Sequence, residues 1–75
     1  MSLKPLPAEK IIRVLKKVGF EIVRQKGSHV ILKNPEGRIT VVPLHKGEEI
    51  GRGLLLKIIK DAGLKKEEFL DLIRK

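Results

Sequence analysis

Two histidines are the side chains best suited to proton transfer in this 75-residue sequence. His29 follows the pair Gly27-Ser28, and His45 follows a short apolar run. Imidazole gains and loses a proton near neutral pH, so a histidine beside an RNA phosphodiester can accept the 2′-hydroxyl proton or protonate the leaving oxygen. His29 is therefore a candidate general acid or base, and His45 is a candidate for the second proton transfer.

Each histidine also has an interpretation that involves no chemistry. His29 can be a solvent-facing strand residue, and His45 can cap or pack a loop. The sequence has no cysteine and only these two histidines, which excludes a thiolate metal site and disfavours an all-protein zinc site. We therefore expect no metal and no cofactor.

The charge of the chain favours a polyanionic partner. Seventeen Lys and Arg residues against nine Asp and Glu give a net charge of +8, which makes nucleic acid the first candidate for so small a domain. Residues 1–26 hold seven of the basic and two of the acidic residues, a net of +5. A solvated helix face is the alternative to phosphate contacts. The predicted RNA-binding cations are Lys10, Arg13, Lys17 and Lys26, with Lys57 and Lys60 as the second choice.

Composition narrows the class of protein further. Aromatic residues make up only 3%, with no Trp or Tyr, which argues against recognition of single strands by base stacking. No run approaches the roughly 18 apolar residues that a membrane-spanning helix needs. We therefore expect a soluble, cytoplasmic protein with no membrane partner.

Apolar periodicity predicts three helices around three strands. The period is helical up to Gly19 and changes to two from Phe20 onward. Residues 34–37 match a type I turn between the second and third strands. The last helix should fray, because Lys65 at its cap position cannot accept hydrogen bonds. The predicted helices cover residues 7–18, about 54–62 and about 66–73.

This element order predicts one α+β domain over residues 1–75. Its architecture is a two-layer α-β-β-β-α arrangement with a short extra C-terminal helix, because a three-stranded antiparallel sheet with both main helices on one face buries the apolar stripes. The order is that of double-stranded-RNA-binding domains, so we expect a fold like theirs. Fold analogy alone assigns no function.

Pairing of apolar side chains predicts the strand register. A three-residue loop, residues 26–28, is preferred for the first hairpin, because a two-residue Gly27-Ser28 turn would place Lys33 on the apolar face. Residues 34–37 form the second loop. The predicted pairs are Ile22 with Leu32, Glu21 with Lys33, Leu32 with Ile39, Val30 with Val41 and His29 with Val42.

In that register, three aliphatic side chains lie near His29 on the sheet face that the helices leave open. They are Val23, Ile31 and Val42. An exposed apolar cluster suggests a surface that a partner covers, and ordinary β-branched strand residues are the alternative. Because the chain is basic, we expect this partner to be acidic and to occlude His29.

Several motifs, in order along nearly the whole chain, resemble the HicA toxin family. The matching segments are Gly19-Phe20, Lys26-Gly27-Ser28-His29, residues 34–37, Val42-Pro43-Leu44-His45, residues 54–64 and Glu67-Glu68-Phe69. The resemblance implies a small mRNA-cleaving toxin whose catalytic histidine falls on His29, with Gly27 and Ser28 shaping the loop. It also implies a HicB-type antitoxin as partner. Many members have Thr at the start of the second helix where this chain has Leu54, a loss of a capping hydroxyl that costs about 1 kcal/mol.

Overall fold

The computed structural model describes residues 3–74, which form three helices and five strands. The predicted domain 1–75 extends beyond this range at both ends. In chain order the elements are β1 (Leu6–Pro7), α1 (Ala8–Lys17), β2 (Glu21–Lys26), β3 (His29–Lys33), β4 (Ile39–Pro43), β5 (Glu49–Ile50), α2 (Arg52–Asp61) and α3 (Lys66–Arg74). The predicted α+β class and the central order of helix, three strands and helix are confirmed. The two-residue strands β1 and β5, which pair with each other, were not predicted because they are too short to show a period.

Helix α1 begins and ends within one residue of its predicted bounds. Pro7 precedes it with extended backbone angles, which suit an N-cap position. At the other end, the Phe20 N–H donates to the Leu15 carbonyl at 3.0 Å and the Gly19 N–H donates to the Lys16 carbonyl at 3.1 Å. This pair of bonds is the Schellman arrangement that ends a helix at glycine.

The first hairpin has the two-residue turn, together with the strand pairs that were predicted from the three-residue loop. Lys26 pairs with His29, so the turn is the two-residue Gly27-Ser28 form and the preferred three-residue loop is wrong. A bulge at Val23 then shifts the register by one residue. Because of this bulge, the predicted pairs of Ile22 with Leu32 and of Glu21 with Lys33 are confirmed.

The predicted register of the second hairpin is wrong by one residue. The type I turn over residues 34–37 is present, with the Gly37 N–H donating to the Asn34 carbonyl at 3.0 Å. Gly37 then adopts a positive φ of 88°, and the next ladder bond runs from the Asn34 N–H to the Arg38 carbonyl at 3.0 Å. The loop is therefore one residue longer on the β4 side, as in three-residue hairpins that end in a left-handed residue.

This shift exchanges the two faces of β4. Thr40 and Val42 are buried, whereas Ile39 and Val41 are 53% and 38% exposed. Leu32 pairs with Thr40 and Val30 with Val42. The Thr40 hydroxyl satisfies its hydrogen bond within the core by donating to the Ile58 carbonyl at 3.5 Å.

The core lies between the sheet and the helices. Both α1 and α2 pack against β4, and α3 packs against α1 and α2. Helix α2 begins two residues earlier than predicted, with Gly51 as its N-cap, so Leu54 lies inside the first turn and is not the cap residue. No helix within residues 3–74 is long and apolar enough to cross a membrane.

Helix α3 is fixed to the core by Phe69, which is fully buried. Lys65 offers no side-chain acceptor at the cap, but its backbone N–H donates to the Glu68 carboxylate at 2.8 Å. This is half of a capping box. Fraying of α3 stays a prediction.

Candidate active site

His29 is the first residue of β3 and follows the Gly27-Ser28 turn directly. Its ladder partners are Lys26 on β2 and Pro43 on β4. Side chains alternate between the faces of a strand, and Val30 and Leu32 are buried. The exposed imidazole therefore belongs to the sheet face that the helices leave open, as predicted.

The turn that carries His29 is held by hydrogen bonds on both sides. Gly27 has a φ of 59°, which glycine adopts readily at the first position of a two-residue hairpin turn. The Gln25 side-chain amide donates to the Gly27 carbonyl at 3.2 Å. The Leu44 N–H donates to the Ser28 carbonyl at 2.6 Å. These contacts fix the backbone that orients the imidazole.

Lys26 is the cation placed beside His29. Directly paired residues of an antiparallel ladder carry their side chains on the same face, with Cβ atoms about 5 Å apart. Lys26 is exposed, so its ammonium group is free to approach an anion bound at the imidazole. Of the four predicted RNA-binding cations, Lys26 is the one that the ladder pairs with His29.

A groove of about 340 Å³ extends from His29 along the outer edge of β4 to α2. Strand and helix run in opposite directions along it, because Thr40 contacts Ile58 and the Arg38 guanidinium donates to the Asp61 carbonyl at 3.4 Å. The groove is lined by His29, Ile39, Thr40, Val41, Pro43, Leu54, Lys57, Ile58 and Asp61.

The α2 side of the groove carries an ion pair. The Lys57 ammonium lies 2.8 Å from the Asp61 carboxylate, and both side chains remain accessible to solvent. From the sequence, Lys57 was only a second choice as an RNA-binding cation. Its helical spacing from Leu54 and Asp61 marks one face of α2 but does not indicate that this face borders His29.

His45 lies outside the lining of this groove. It is exposed in the loop after β4, where its backbone carbonyl accepts a hydrogen bond from the Glu48 N–H at 3.0 Å. The residue is two positions beyond Pro43, the ladder partner of His29. That bond involves the backbone and not the imidazole, so the capping or packing role and the proton-transfer role of His45 both stay predictions.

The cations of α1 form a separate surface. Lys10, Arg13 and Lys17 are all exposed and none of them lines the groove. Helix α1 packs against the sheet from the buried side, whereas His29 is on the open side. The structure therefore does not bring these three cations to the histidine.

The predicted partner surface needs one correction. Val42 is fully buried, so it cannot line an exposed patch, and the slipped register is the reason. Val23 is 57% exposed and Ile31 is partly exposed. The open-face patch, as the structure defines it, consists of Val23, Ile31, Ile39 and Val41.

Comparison with known proteins assigns the chain to a family. Residues 8–64 match the family described as HicA toxin of bacterial toxin-antitoxin. A protein of Pseudomonas fluorescens (strain Pf0-1) named "Probable mRNA interferase HicA" is 43% identical over 53 residues, which are 71% of this chain and 87% of that protein. The chain belongs to the HicA toxin family.

The HicA match includes the whole groove. It spans α1 through α2 and contains His29, Lys26 and Lys57, whereas α3 lies outside it. The resemblance predicted from the motifs is confirmed. A HicA chain is the toxin of a bacterial toxin–antitoxin system.

Proposed function

We propose that this HicA toxin is a metal-independent endoribonuclease that cleaves mRNA with His29 as its catalytic histidine. The observation that carries the proposal is the position of His29, exposed at the end of an open groove and directly paired with Lys26. The name of the Pseudomonas relative, an mRNA interferase, supports RNA as the substrate.

The reaction follows from the chemistry of RNA. The 2′-oxygen attacks the adjacent phosphorus while the bond from phosphorus to the 5′-oxygen breaks, which leaves a 2′,3′-cyclic phosphate and a 5′-hydroxyl. His29 accepts the 2′-hydroxyl proton or donates a proton to the leaving 5′-oxygen. His45 is the candidate for the other transfer.

Lys26 stabilises the charge that develops during this reaction. The phosphorane gains negative charge on its non-bridging oxygens, and a cation beside it lowers the barrier when it stabilises this charge more than it stabilises the ground state. Gly27 and Ser28 form the tight turn that places Lys26 and His29 side by side. Lys10, Arg13 and Lys17 hold more distant phosphates of the same RNA.

The partner in this account is an acidic antitoxin of the HicB type. Bound to the open-face patch, it would cover Ile31 and the neighbouring His29 together, since the two residues alternate with buried Val30 on the same face of β3. The net charge of +8 favours rapid association with an acidic surface.

Metal independence has a direct test. Within residues 3–74 no group of three or more His, Cys, Asp or Glu side chains is arranged to hold a metal ion, so the proposal assigns the chemistry to side chains. RNA incubated with the purified protein in excess EDTA should yield fragments with 5′-hydroxyl ends. Strict dependence on added Mg²⁺ would contradict the mechanism.

A non-catalytic RNA-binding module is the second candidate function, because the basic surface of α1 lies apart from His29. Such a module binds RNA and leaves it intact. The same incubation distinguishes the two candidates, since a module gives no fragments under any condition.

A further inference from the structure

We propose that the groove between β4 and α2 binds the nucleotide adjoining the scissile phosphate, and that Lys57 holds the phosphate on the far side of that nucleotide. This inference rests on the proposed function of His29. It assigns a substrate site to residues of α2 for which the cleavage chemistry has no role.

The position of the groove is the first argument. His29 and Pro43 lie at one end, whereas Lys57 and Asp61 line the α2 side. A phosphodiester that reacts at the imidazole therefore has its neighbouring nucleotide at the mouth of the groove. The volume of about 340 Å³ lies at the lower end of the range for small-ligand sites, about 300–1,000 Å³.

The lining suits a nucleobase. Leu54, Val41 and Ile39 supply exposed apolar surface against which the flat face of a base can pack. Within residues 3–74, β4 pairs with β3 on one side only. Backbone groups alternate in direction along an antiparallel strand.

The alternation identifies which backbone groups face the groove. At the two ends of the ladder, the Arg38 carbonyl accepts a hydrogen bond from the Asn34 N–H, and the Leu44 N–H donates to the Ser28 carbonyl. Along β4, Arg38, Thr40, Val42 and Leu44 therefore direct their backbone groups toward β3. Ile39 and Val41 alternate with them, so their backbone groups point to the open edge. Their N–H and carbonyl groups are available to the hydrogen-bonding edge of a base, which gives the site a means of base preference.

The charge at the α2 side suits a phosphate. Lys57 is held by Asp61 at 2.8 Å, and the Arg38 guanidinium reaches the Asp61 carbonyl. Two cations thus lie beside Asp61, with Lys57 at its carboxylate and Arg38 at its backbone carbonyl. A phosphate entering the groove would exchange with Asp61 as the partner of Lys57 and form a charge-assisted hydrogen bond.

Affinity for a non-cleavable RNA tests the role of Lys57 without relying on catalysis. The probe is a short single-stranded RNA with 2′-O-methyl groups at every position, and its dissociation constant is measured by fluorescence anisotropy. Lys57→Ala should weaken binding about tenfold. Lys60→Ala is the matched control, because Lys60 is an exposed lysine of α2 that does not line the groove, and it should change binding about twofold or less. Equal losses for the two variants would overturn the inference.

Asp61→Asn supplies the opposite expectation. Removal of the carboxylate frees Lys57 and removes a negative charge that repels the phosphate, so RNA binding should tighten. If Asp61 served only to stabilise α2, the substitution would leave the dissociation constant unchanged, and the assignment of the ion pair to substrate binding would be wrong.

Base preference is tested with a second matched pair. Leu54 lines the groove and Leu56 does not, although the two leucines of α2 are similarly exposed, at 40% and 43%. Leu54→Ala should redistribute the cleavage sites on a mixed-sequence RNA, whereas Leu56→Ala should reproduce the wild-type pattern. Identical patterns for all three proteins would overturn the nucleotide site.

The two proposals fail differently. If wild-type protein leaves RNA intact, the proposed function fails, while a selective loss of affinity in Lys57→Ala would still establish a nucleotide-binding groove. If His29→Ala abolishes cleavage while Lys57→Ala behaves like Lys60→Ala, the proposed function stands and the inference about the groove is overturned.

Discussion

Lys26 and His29 are direct partners across the two-residue turn that joins β2 to β3. The pairing places both side chains on the same face, and the sheet rather than a flexible loop sets the separation of their Cβ atoms. An antitoxin that covers one of these residues must approach the other. The proposed catalytic pair and its regulation are thus properties of one hairpin.

Substitution of Lys26 should lower the rate of RNA cleavage more than it lowers the stability of the fold. Lys26→Ala is expected to reduce kcat/KM for RNA cleavage about tenfold, because one cation near the developing charge is lost, and Lys26→Arg should restore most of the rate. Arg24→Ala is the control, since Arg24 lies on the same strand opposite Ile31. Equal effects of Lys26→Ala and Arg24→Ala would mean that general surface charge, rather than the pairing with His29, matters.

The register of the second hairpin can be checked by stability. Val42→Ala removes a fully buried side chain and should lower the free energy of unfolding by about 2 kcal/mol. Val41→Ala affects a residue on the open face and should cost about 0.5 kcal/mol. Urea denaturation of the two variants measures both. The reverse order would support the register predicted from the sequence.

The open-face patch should be the antitoxin surface. Ile31→Asp places a charge in the proposed interface, and an unpaired buried charge costs several kcal/mol, so binding of the antitoxin should weaken at least about 100-fold. Val23→Asp serves as a second variant at a more exposed position of the patch. Cleavage by both variants should persist when antitoxin is added, as measured with fluorescent RNA.

Leu56→Asp is the control for the antitoxin experiment, because Leu56 is an exposed leucine of α2 outside the patch. This variant should remain inhibited. If the two patch variants also bind antitoxin and remain inhibited, the partner docks on a different face of the toxin.

Charge reversal on α1 should change the salt dependence of RNA binding. Substitution of Lys10, Arg13 and Lys17 by Glu should weaken affinity and reduce the slope of log K against log salt by about two, since each single-strand phosphate contact contributes about 0.7. The fold should survive, because these residues are exposed. An unchanged slope would show that these three cations make no phosphate contacts and would leave Lys26 and Lys57 as the cations that do.

Local patterns predicted the elements but not every connection between them. The apolar spacing of α1 and its end at Gly19 are confirmed because both depend on neighbouring residues. The β4 register depends instead on whether Gly37 is counted in the turn or in the strand, and its positive φ decides this. A single residue of difference moved Val42 from the predicted surface to the core.

For the candidate site, too, the part that depends on neighbouring residues could be predicted from the sequence, and the part that depends on distant residues could not. His29 and Lys26 are close in sequence, so their pairing followed once the turn was known. The groove is lined by residues 39–43 of β4 and by residues of α2 that follow only from residue 54 onward. No periodicity specifies that contact, and the relation of Lys57 to His29 therefore required the tertiary structure.

The most direct test of the central claim is RNA cleavage by His29→Ala, measured beside RNA binding by the same protein. Removal of a general acid or base should lower the cleavage rate by at least about 100-fold, while affinity for the 2′-O-methyl RNA stays within about twofold of wild type. His45→Ala should retain more activity than His29→Ala. Cleavage by His29→Ala at the wild-type rate would contradict the proposed role of His29.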